Sequence, residues 1–408
     1  MKRVVVTGLQ AISPIGSTWS EASARLASGE TGVRYVTDWD KYHGLNTRLG
    51  GPANFETPSH YGRKALRSMG QVAVMATRAT ELALEQAGLL GEADIQNGSM
   101  GVSYGSSSGS TSAFVDFGRM LIEEDTGGLN ANSYIKMMAH TAPVNLGVFF
   151  GLKGRVYTTS SACTSGSQGI GYAYEAVRAG QQRYMVAGGA EELCATQAAV
   201  FDTLFATSVK NDTPHLSPRP FDRDRDGLVI GEGAGTLILE DLDSARARGA
   251  KIYAEVVGYG TNADGSHVTQ PNSDTMEIAM RLALADAKLQ PQDIGYISAH
   301  GTATDRGDVA ESAATHRVFG NRTPISSLKS FTGHTLGACG AIEAWAAIHQ
   351  MNQGSFHPTA NLENPDPECA DLDYLQHQMR AIDTEYVMSN NFAFGGINTS
   401  LIFKRWVQ

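Results

Sequence analysis

Residues 157 to 171 read Tyr157-Thr-Thr-Ser-Ser-Ala-Cys163-Thr-Ser-Gly-Ser-Gln-Gly-Ile-Gly171, a strand-like run that stops at small hydroxyl residues and continues as a small-residue helix. The pattern predicts a strand, a tight turn and a helix that begins at the Cys163 thiol. A helix start has unpaired backbone N–H groups and the positive end of the helix dipole, which favour a thiolate and can bind a developing oxyanion. Although a lone cysteine is more often a small core residue, this setting favours a nucleophile.

Two histidines in the second half of the chain have similar surroundings. His300 ends the apolar run in Ile294-Gly-Tyr-Ile-Ser-Ala-His300-Gly-Thr-Ala-Thr-Asp-Arg-Gly-Asp308. His334 lies in Lys329-Ser-Phe-Thr-Gly-His334-Thr-Leu-Gly-Ala-Cys339, again between a strand-like run and a small-residue helix. Each histidine alone would more often be structural. The two together with Cys163, in matching motifs, indicate one catalytic site.

These motifs resemble those of the elongating β-ketoacyl-acyl carrier protein synthases, which are members of the thiolase-like condensing enzymes. The cysteine, both histidine motifs and the C-terminal Asn391-Phe-Ala-Phe-Gly-Gly-Ile-Asn398 occur in the order and spacing of that family. Residues 221–235 form a further family-like block. The resemblance covers essentially the whole chain.

The alternation of apolar runs with glycine- and alanine-rich helices is typical of an α/β fold. One long helix is expected over residues 66–87 and another over 280–287. A weak internal similarity is also present: the pattern of strand, turn and helix around Cys163 occurs again around His334. The resemblance implies a five-layered αβαβα fold of two pseudo-symmetric halves with mixed sheets and buried helices between them. We expect the halves at 1–250, with the nucleophile, and 251–408, with both histidines, and no flexible linker.

The composition excludes several classes of protein. With 408 residues, 42% of them hydrophobic and 18% charged, the chain has the composition of an ordinary soluble globular protein. The N-terminus has too short an apolar run for a signal peptide and no segment resembles a membrane helix, so a cytoplasmic protein is expected. Four scattered cysteines suggest neither a disulfide framework nor a zinc site, and the net charge of −10 argues against nucleic-acid binding.

The resemblance implies a decarboxylative Claisen condensation, catalysed by an acyltransferase. Cys163 would take an acyl chain from the phosphopantetheine of an acyl carrier protein, using the helix dipole and no dedicated base. His300 and His334 would donate Nε2 hydrogen bonds to the malonyl thioester oxygen, with their tautomers fixed by backbone partners. The backbone N–H groups of Cys163 and Phe394 would form the oxyanion hole.

Other residues receive supporting roles from the same resemblance. Lys329 would support the histidines and pair with Glu311. Thr302 and Thr304 have hydroxyls to bind the phosphopantetheine amides. The remaining residues that are predicted to line the substrate-binding pocket are Phe392, Ser108, Leu228 and Phe201. No metal or other bound cofactor is expected, because a site built from His300, His334 and Asp308 would place a cation beside Lys329.

The expected partner, an acyl carrier protein, is itself acidic, so docking needs a local basic patch. Arg63, Lys64 and Arg67 are the best candidates, and a solvated helix face with no partner explains them equally well. Relatives form dimers, so a homodimer is expected, with a heterodimer with a homologue left open. Met137 and Met138 are predicted to line the dimer border.

The sequence departs from its relatives at three positions near the predicted site. Asp305 replaces a proline, Ala393 replaces a glycine in a loop that must swing with Phe394, and Leu228 replaces a phenylalanine. Ser108 is small and should leave the acyl pocket open. These departures favour an unusual acyl chain in a specialised pathway, such as polyene or polyketide-like synthesis, over ordinary fatty-acid elongation, its nearest competitor.

Four alternative functions are weaker. A thiolase would use coenzyme A substrates and a second catalytic cysteine, and Cys339 lacks the surroundings for that role. Initiating synthases carry asparagine where this chain has His334. A chain-length-determining partner subunit of a ketosynthase would lose the active cysteine, and a cysteine hydrolase would need a carboxylate to orient its histidine. The acyl length and saturation, the carrier protein and the pathway stay open.

Overall fold

The computed structural model describes residues 1–407. The strands are β1 (Val4–Ile12), β2 (Arg34–Tyr35), β3 (Leu49–Gly51), β4 (Met100–Gly105), β5 (Val156–Thr158), β6 (Tyr184–Glu191), β7 (Ile230–Gly231), β8 (Gly233–Asp241), β9 (Ala254–Ala263), β10 (Ile294–Ser298), β11 (Pro324–Ser326), β12 (Ser355–Phe356), β13 (Asp373–Tyr374), β14 (Arg380–Ala381), β15 (Tyr386–Ala393) and β16 (Ile397–Arg405). The helices are α1 (Trp19–Ser28), α2 (Arg63–Leu66), α3 (Gln71–Gln86), α4 (Phe114–Glu123), α5 (Ala131–Met137), α6 (Thr141–Phe150), α7 (Ser165–Arg178), α8 (Ala195–Asp202), α9 (Leu242–Ala247), α10 (Ser273–Ala287), α11 (Asp305–Phe319), α12 (Lys329–Thr332) and α13 (Cys339–Gln353).

The strand order repeats in the two halves of the chain. The first half runs β1-β8-β6-β4-β5 and the second runs β9-β16-β15-β10-β11, with β13 added at the outer edge. In both halves the outer three of these strands are parallel and the inner pairs are antiparallel. Two mixed sheets were expected. They are joined into one sheet because β1 pairs with β9 through Val4–Val6.

Two helices lie at the centre of the molecule. Both α7 and α13 contact strands of both halves and each other, with α3 and α6 outside the first half and α10 and α11 outside the second. This arrangement gives the five predicted layers. The central helices approach closely because α7 begins with small residues: a Cβ added at Gly166 would lie 3.0 Å from the backbone nitrogen of Ala341 in α13.

The turn that carries Cys163 has a counterpart in the second half, but not at the residues that the sequence similarity indicated. Cys163 lies in a 3₁₀ turn (Ala162–Thr164) before α7, and the matching 3₁₀ turn (Leu336–Ala338) precedes α13. Their first residues share a left-handed backbone, with φ of 51° at Ala162 and 47° at Leu336. Gly337, and not His334, therefore occupies the position that corresponds to Cys163.

The predicted long helix is interrupted. Residues 66–87 form the end of α2, a break that includes Gly70, and α3, whose buried face is rich in alanine. Residues 280–287 are the last turns of α10. None of the helices in residues 1–407 is long and apolar enough to cross a membrane. The proposed boundary near residue 250 falls in the connection between α9 and β9.

Candidate active site

The fold brings Cys163, His300 and His334 together from the two halves. His334 Nε2 lies 3.0 Å from Cys163 Sγ. The rings of His300 and His334 stand at 88° to each other, with centroids 5.2 Å apart. All three side chains are buried. The predicted nucleophile therefore faces both predicted imidazoles at one point.

The hydrogen bonds of the histidines fix their tautomers. His334 Nδ1 accepts from the Leu336 backbone N–H at 3.3 Å. His300 Nδ1 faces two donors, Lys329 Nζ at 3.2 Å and Asn391 Nδ2 at 3.4 Å. Because both Nδ1 atoms face donors, both Nε2 atoms carry the proton. The predicted backbone partner is present for His334, whereas for His300 the prediction is wrong and side chains take that place.

The same hydrogen bonds make the three side chains a poor metal site. Their ligand atoms lie within 4.8 Å of one another, a spacing that a metal ion could bridge. A histidine that ligates through Nε2, however, normally donates its Nδ1–H to an acceptor. Here Leu336 N–H and the Lys329 ammonium face those Nδ1 atoms instead. The donor set therefore does not fit a metal.

Lys329 pairs with Glu343, not with Glu311 as predicted. Lys329 Nζ is 2.5 Å from Glu343 Oε1, and the second oxygen of Glu343 accepts from Asn391 Nδ2 at 2.7 Å. Glu311 accepts the backbone N–H groups of His300 and Gly301, both at 2.7 Å, and so anchors the turn that carries His300. Sequence reasoning missed Glu343, although an acidic residue within the apolar, alanine-rich α13 was a usable signal.

Burial dominates the electrostatics of the site. It raises the pKa of the Cys163 thiol to about 11, against the hydrogen bond from the Phe394 backbone N–H and the nearby charge of Lys329. Burial and Lys329 also lower the pKa values of His300 and His334 well below their ordinary value. The expected low-pKa thiolate is therefore wrong for this environment: thiol and imidazoles are uncharged at neutral pH.

Phe394 and its loop close one side of the site. The Phe394 backbone N–H acts on the Cys163 thiol and lowers its pKa against the effect of burial, and the Phe394 ring packs on Phe201 with centroids 5.0 Å apart. Beyond it, Gly395 N–H donates to the Val268 carbonyl at 2.8 Å, and the Asp264 N–H donates to the Gly396 carbonyl at 2.7 Å. Ala393 ends β15 in regular pairing with Ile397, so alanine fits this position.

A cavity of about 550 Å³ leads to the three reactive side chains. Its lining includes most of the predicted substrate-binding residues, namely Thr302, Thr304, Phe392, Leu228 and Phe201, together with Phe394, Ala393 and Asp305. Ser108 is not part of this lining. Its Oγ accepts from Gln197 Nε2 at 2.9 Å.

A buried ion cluster missed from the sequence holds the threonine loop in place. Asp308 accepts the backbone N–H groups of Thr302 and Ala303 at 3.1 and 3.2 Å. Arg225, whose side chain is 2% exposed, lies 3.9 Å from Asp308 and donates to the Thr304 carbonyl at 3.3 Å. The two residues were visible in family-like motifs, but their contact depends on tertiary structure.

Comparison with known proteins identifies the family. The model for the N-terminal domain of β-ketoacyl synthases matches residues 1–245, and the model for the C-terminal domain matches residues 253–363. The chain belongs to the β-ketoacyl synthase family.

Individual relatives cover this β-ketoacyl synthase from end to end. It is 39% identical to 3-oxoacyl-[acyl-carrier-protein] synthase 2 of Synechocystis sp., over 99% of this chain and 98% of the relative. The crystal structure of a β-ketoacyl synthase from Burkholderia phymatum is 58% identical, with a TM-score of 0.99 and complete coverage of both chains. The ishigamide ketosynthase/chain length factor is 32% identical, with a TM-score of 0.90 and complete coverage of both chains.

The predicted surface residues of the synthase are accessible. Arg63 and Lys64 on α2, and Arg67 just after it, are exposed and form no ion pair with any residue in the described range 1–407. Met137 and Met138, at the end of α5, are half-buried. The structure thus presents the basic residues to solvent and leaves the methionines partly covered.

Proposed function

We propose that this synthase catalyses the decarboxylative condensation of an acyl chain on Cys163 with malonyl-acyl carrier protein, giving β-ketoacyl-acyl carrier protein. The observation that carries the proposal is the convergence of a buried thiol and two imidazole Nε2–H groups at the inner end of one cavity. A thiol can hold an acyl group, and two neutral donors can bind an enolate oxygen. The reaction makes the protein an acyltransferase.

In the first half-reaction the Cys163 sulfur attacks the carbonyl carbon of the incoming acyl thioester. The carbonyl oxygen becomes an oxyanion, which the backbone N–H groups of Cys163 and Phe394 bind. The bond to the phosphopantetheine sulfur then breaks, and the proton of the Cys163 thiol ends on that sulfur. Because burial keeps the thiol protonated, proton transfer must accompany the attack.

In the second half-reaction the malonyl group loses CO₂, and the electron pair of the broken bond forms an enolate. His300 and His334 donate from Nε2 to the enolate oxygen, and their Nδ1 partners keep those protons in place. The enolate carbon attacks the acyl carbonyl, the bond to the Cys163 sulfur breaks, and the departing thiolate takes up a proton from water to restore the thiol. Lys329 acts through His300 and is a positioning residue.

A Cys163→Ala variant tests whether condensation needs Cys163 while malonyl decarboxylation needs only the two histidines. It should form no β-ketoacyl product, yet still release CO₂ from malonyl-acyl carrier protein, because His300 and His334 are unchanged. The measurement is the release of labelled CO₂ together with mass analysis of the carrier. Loss of both activities in a folded variant would contradict separate roles, and condensation without Cys163 would overturn the proposal.

The carrier protein is proposed to dock on the exposed Arg63, Lys64 and Arg67, with phosphopantetheine entering past Thr302 and Thr304 as the carrier of both substrates. Opposite charges on an acidic partner supply the attraction. Arg63→Glu and Arg67→Glu should raise KM for the carrier-bound substrate and leave KM for a free pantetheine thioester unchanged. An equal change for both substrates would place docking elsewhere.

A dimer is proposed from two exposed features of the first half. Strand β5 ends the large sheet with its outer edge unpaired in residues 1–407, and Val156 is 51% exposed. In the same half, α4 has no buried residue and exposes Leu121 and Ile122. An unpaired strand edge and exposed apolar side chains are each typical of a surface that a second subunit covers.

The synthase is proposed to serve a specialised pathway, and ordinary fatty-acid elongation is the alternative. This proposal rests on Asp305 and Leu228, which line the cavity where relatives have other residues. A ladder of saturated and polyunsaturated acyl carrier substrates separates the two pathways. Equal, efficient use of medium-length saturated chains would remove the specialised one.

A further inference from the structure

One arginine in the lining of the active-site cavity has no counter-charge among residues 1–407. The lining contains two arginines, Arg225 and Arg306. The guanidinium of Arg225 is buried and lies within ion-pair distance of three carboxylates, those of Asp305, Asp308 and Asp366. Arg306 is exposed and forms no ion pair with any residue in the described range. Its positive charge is therefore available to a ligand that enters the cavity.

The segment that carries Arg306 runs from the reacting groups out to solvent. The cavity is lined by four alternate residues of this segment, His300, Thr302, Thr304 and Arg306. His300 and Thr302 are each 7% exposed, whereas Thr304 is half-buried and Arg306 is exposed. The hydroxyls of Thr302 and Thr304 lie 2.9 Å apart. From the inner end of the cavity outward, the segment therefore presents an imidazole, two hydroxyls and a guanidinium.

Phosphopantetheine carries groups that match these side chains in the same order. Counted from the thioester, the arm has two amides and then the phosphodiester that joins it to its carrier. With the thioester at His300 and the amides at the threonines, the phosphate lies outermost, where a guanidinium can bind it through two parallel N–H bonds. The carboxylates of Asp226 and Asp264 also line the cavity. The charge of Arg306 offsets their repulsion of the phosphate.

We infer that Arg306 binds the phosphodiester of phosphopantetheine, so that the synthase selects phosphorylated over unphosphorylated pantetheine thioesters. The inference rests on the proposed function and adds a specificity-determining residue for the arm that carries both substrates. This role differs from that of Arg63 and Arg67, which are proposed to contact the surface of the carrier protein. Arg306 should therefore act on a phosphopantetheine thioester even when no carrier protein is attached to it.

The test compares acyl transfer to Cys163 from octanoyl-phosphopantetheine, octanoyl-pantetheine and octanoyl carrier protein, with intact-protein mass giving the rate of loading. The wild type should use the phosphorylated small thioester at least about fivefold more efficiently than the unphosphorylated one. In Arg306→Ala the two should load equally, and loading from the carrier should also slow. Arg306→Lys should keep part of the preference, because the charge remains but the paired N–H contact is lost. Arg322→Ala, at an exposed arginine outside the cavity lining, should behave as the wild type.

Two further outcomes separate phosphate binding from a structural role and from the proposed function. Equal use of the two small thioesters by the wild type, an unchanged preference or carrier rate in Arg306→Ala, or an equal loss on all three substrates overturns the inference and leaves the condensing function intact. Raising the salt from about 50 mM to about 500 mM should reduce the wild-type preference without any substitution, and a preference independent of salt would contradict an ionic contact. Failure of the wild type to load octanoyl from any of the three substrates would instead count against the proposed function.

Discussion

At the residue scale, the charge of Lys329 depends on Glu343. Burial alone would lower the pKa of Lys329, but neighbouring anionic groups, Glu343 among them, raise it above its usual value. In Glu343→Gln the ammonium would be buried without a counter-charge, which typically costs about 3–5 kcal/mol of unfolding free energy. We expect that loss at pH 7 by denaturant unfolding.

The pH dependence and a double variant check this prediction. Without Glu343 the folded-state pKa of Lys329 falls below its unfolded value, so the unfolded chain binds more protons than the folded one. The loss of unfolding free energy in Glu343→Gln therefore becomes smaller as the pH rises toward 10. Adding Lys329→Met to Glu343→Gln removes the unpaired charge and should recover much of the lost stability. A double variant no more stable than Glu343→Gln would show that the pair is not the cause.

The Cys163 thiol provides a second prediction at this scale. Because burial raises its pKa to about 11, the thiolate fraction should grow about tenfold per pH unit through the neutral and mildly alkaline range. Alkylation of Cys163 by iodoacetamide, followed by peptide mass spectrometry, should therefore accelerate steadily from pH 7 to 10. With both histidines uncharged, no step is expected near pH 6.5. A rate that levels off below pH 8 would indicate a stabilised thiolate.

At the scale of elements, the loop after β15 is held against the segment after β9. Gly396 has φ of +69°, and a Cβ added there would lie 2.6 Å from the Cβ of Asp264. Gly395 has φ of +87°, but a Cβ there meets nothing within 4 Å. Both alanine variants strain the backbone, and only Gly396→Ala also pushes Asp264 away.

Gly396→Ala should therefore displace Phe394 and slow acyl transfer to Cys163 about tenfold or more relative to Gly395→Ala. Malonyl decarboxylation should change less, because its donors are side chains on other loops. Stopped-flow acylation and CO₂ release measure the two steps separately. Equal acylation rates in the two variants would show that contact with Asp264 does not position the loop.

At the scale of the whole molecule, the unpaired edge of β5 determines the expected assembly. Val156→Lys places a charge on that edge, and in a twofold dimer two such charges approach each other. Light scattering after size-exclusion chromatography should show a monomer, or a dimer weakened at least about tenfold. Ile278→Lys, a matched change at an exposed residue of α10, should stay dimeric. A Val156→Lys protein that dimerises like the wild type would place the interface elsewhere.

Prediction from the sequence succeeded where a motif is local. Cys163, His300 and His334 each lie beside a strand end and a small-residue turn, so their neighbours in the chain already identify them. Prediction from the sequence failed where a contact depends on how two distant segments of the chain lie relative to each other. Glu343 and Glu311 both lie on helices near Lys329, and their roles depend on the direction in which α13 and α11 present them. Ser108 was assigned to the wall of the cavity and is not part of its lining.

By itself the sequence indicated the α/β layering and predicted Cys163, His300 and His334 as the site, because periodicity and turn residues act over a few neighbouring positions, whereas the five layers and two similar halves came from the family resemblance. Only the tertiary structure decided the protonation of those groups and the partner of Lys329. Burial and hydrogen bonding depend on what the rest of the chain packs against each atom. In this protein those neighbours come from the opposite half or from segments far away in the sequence.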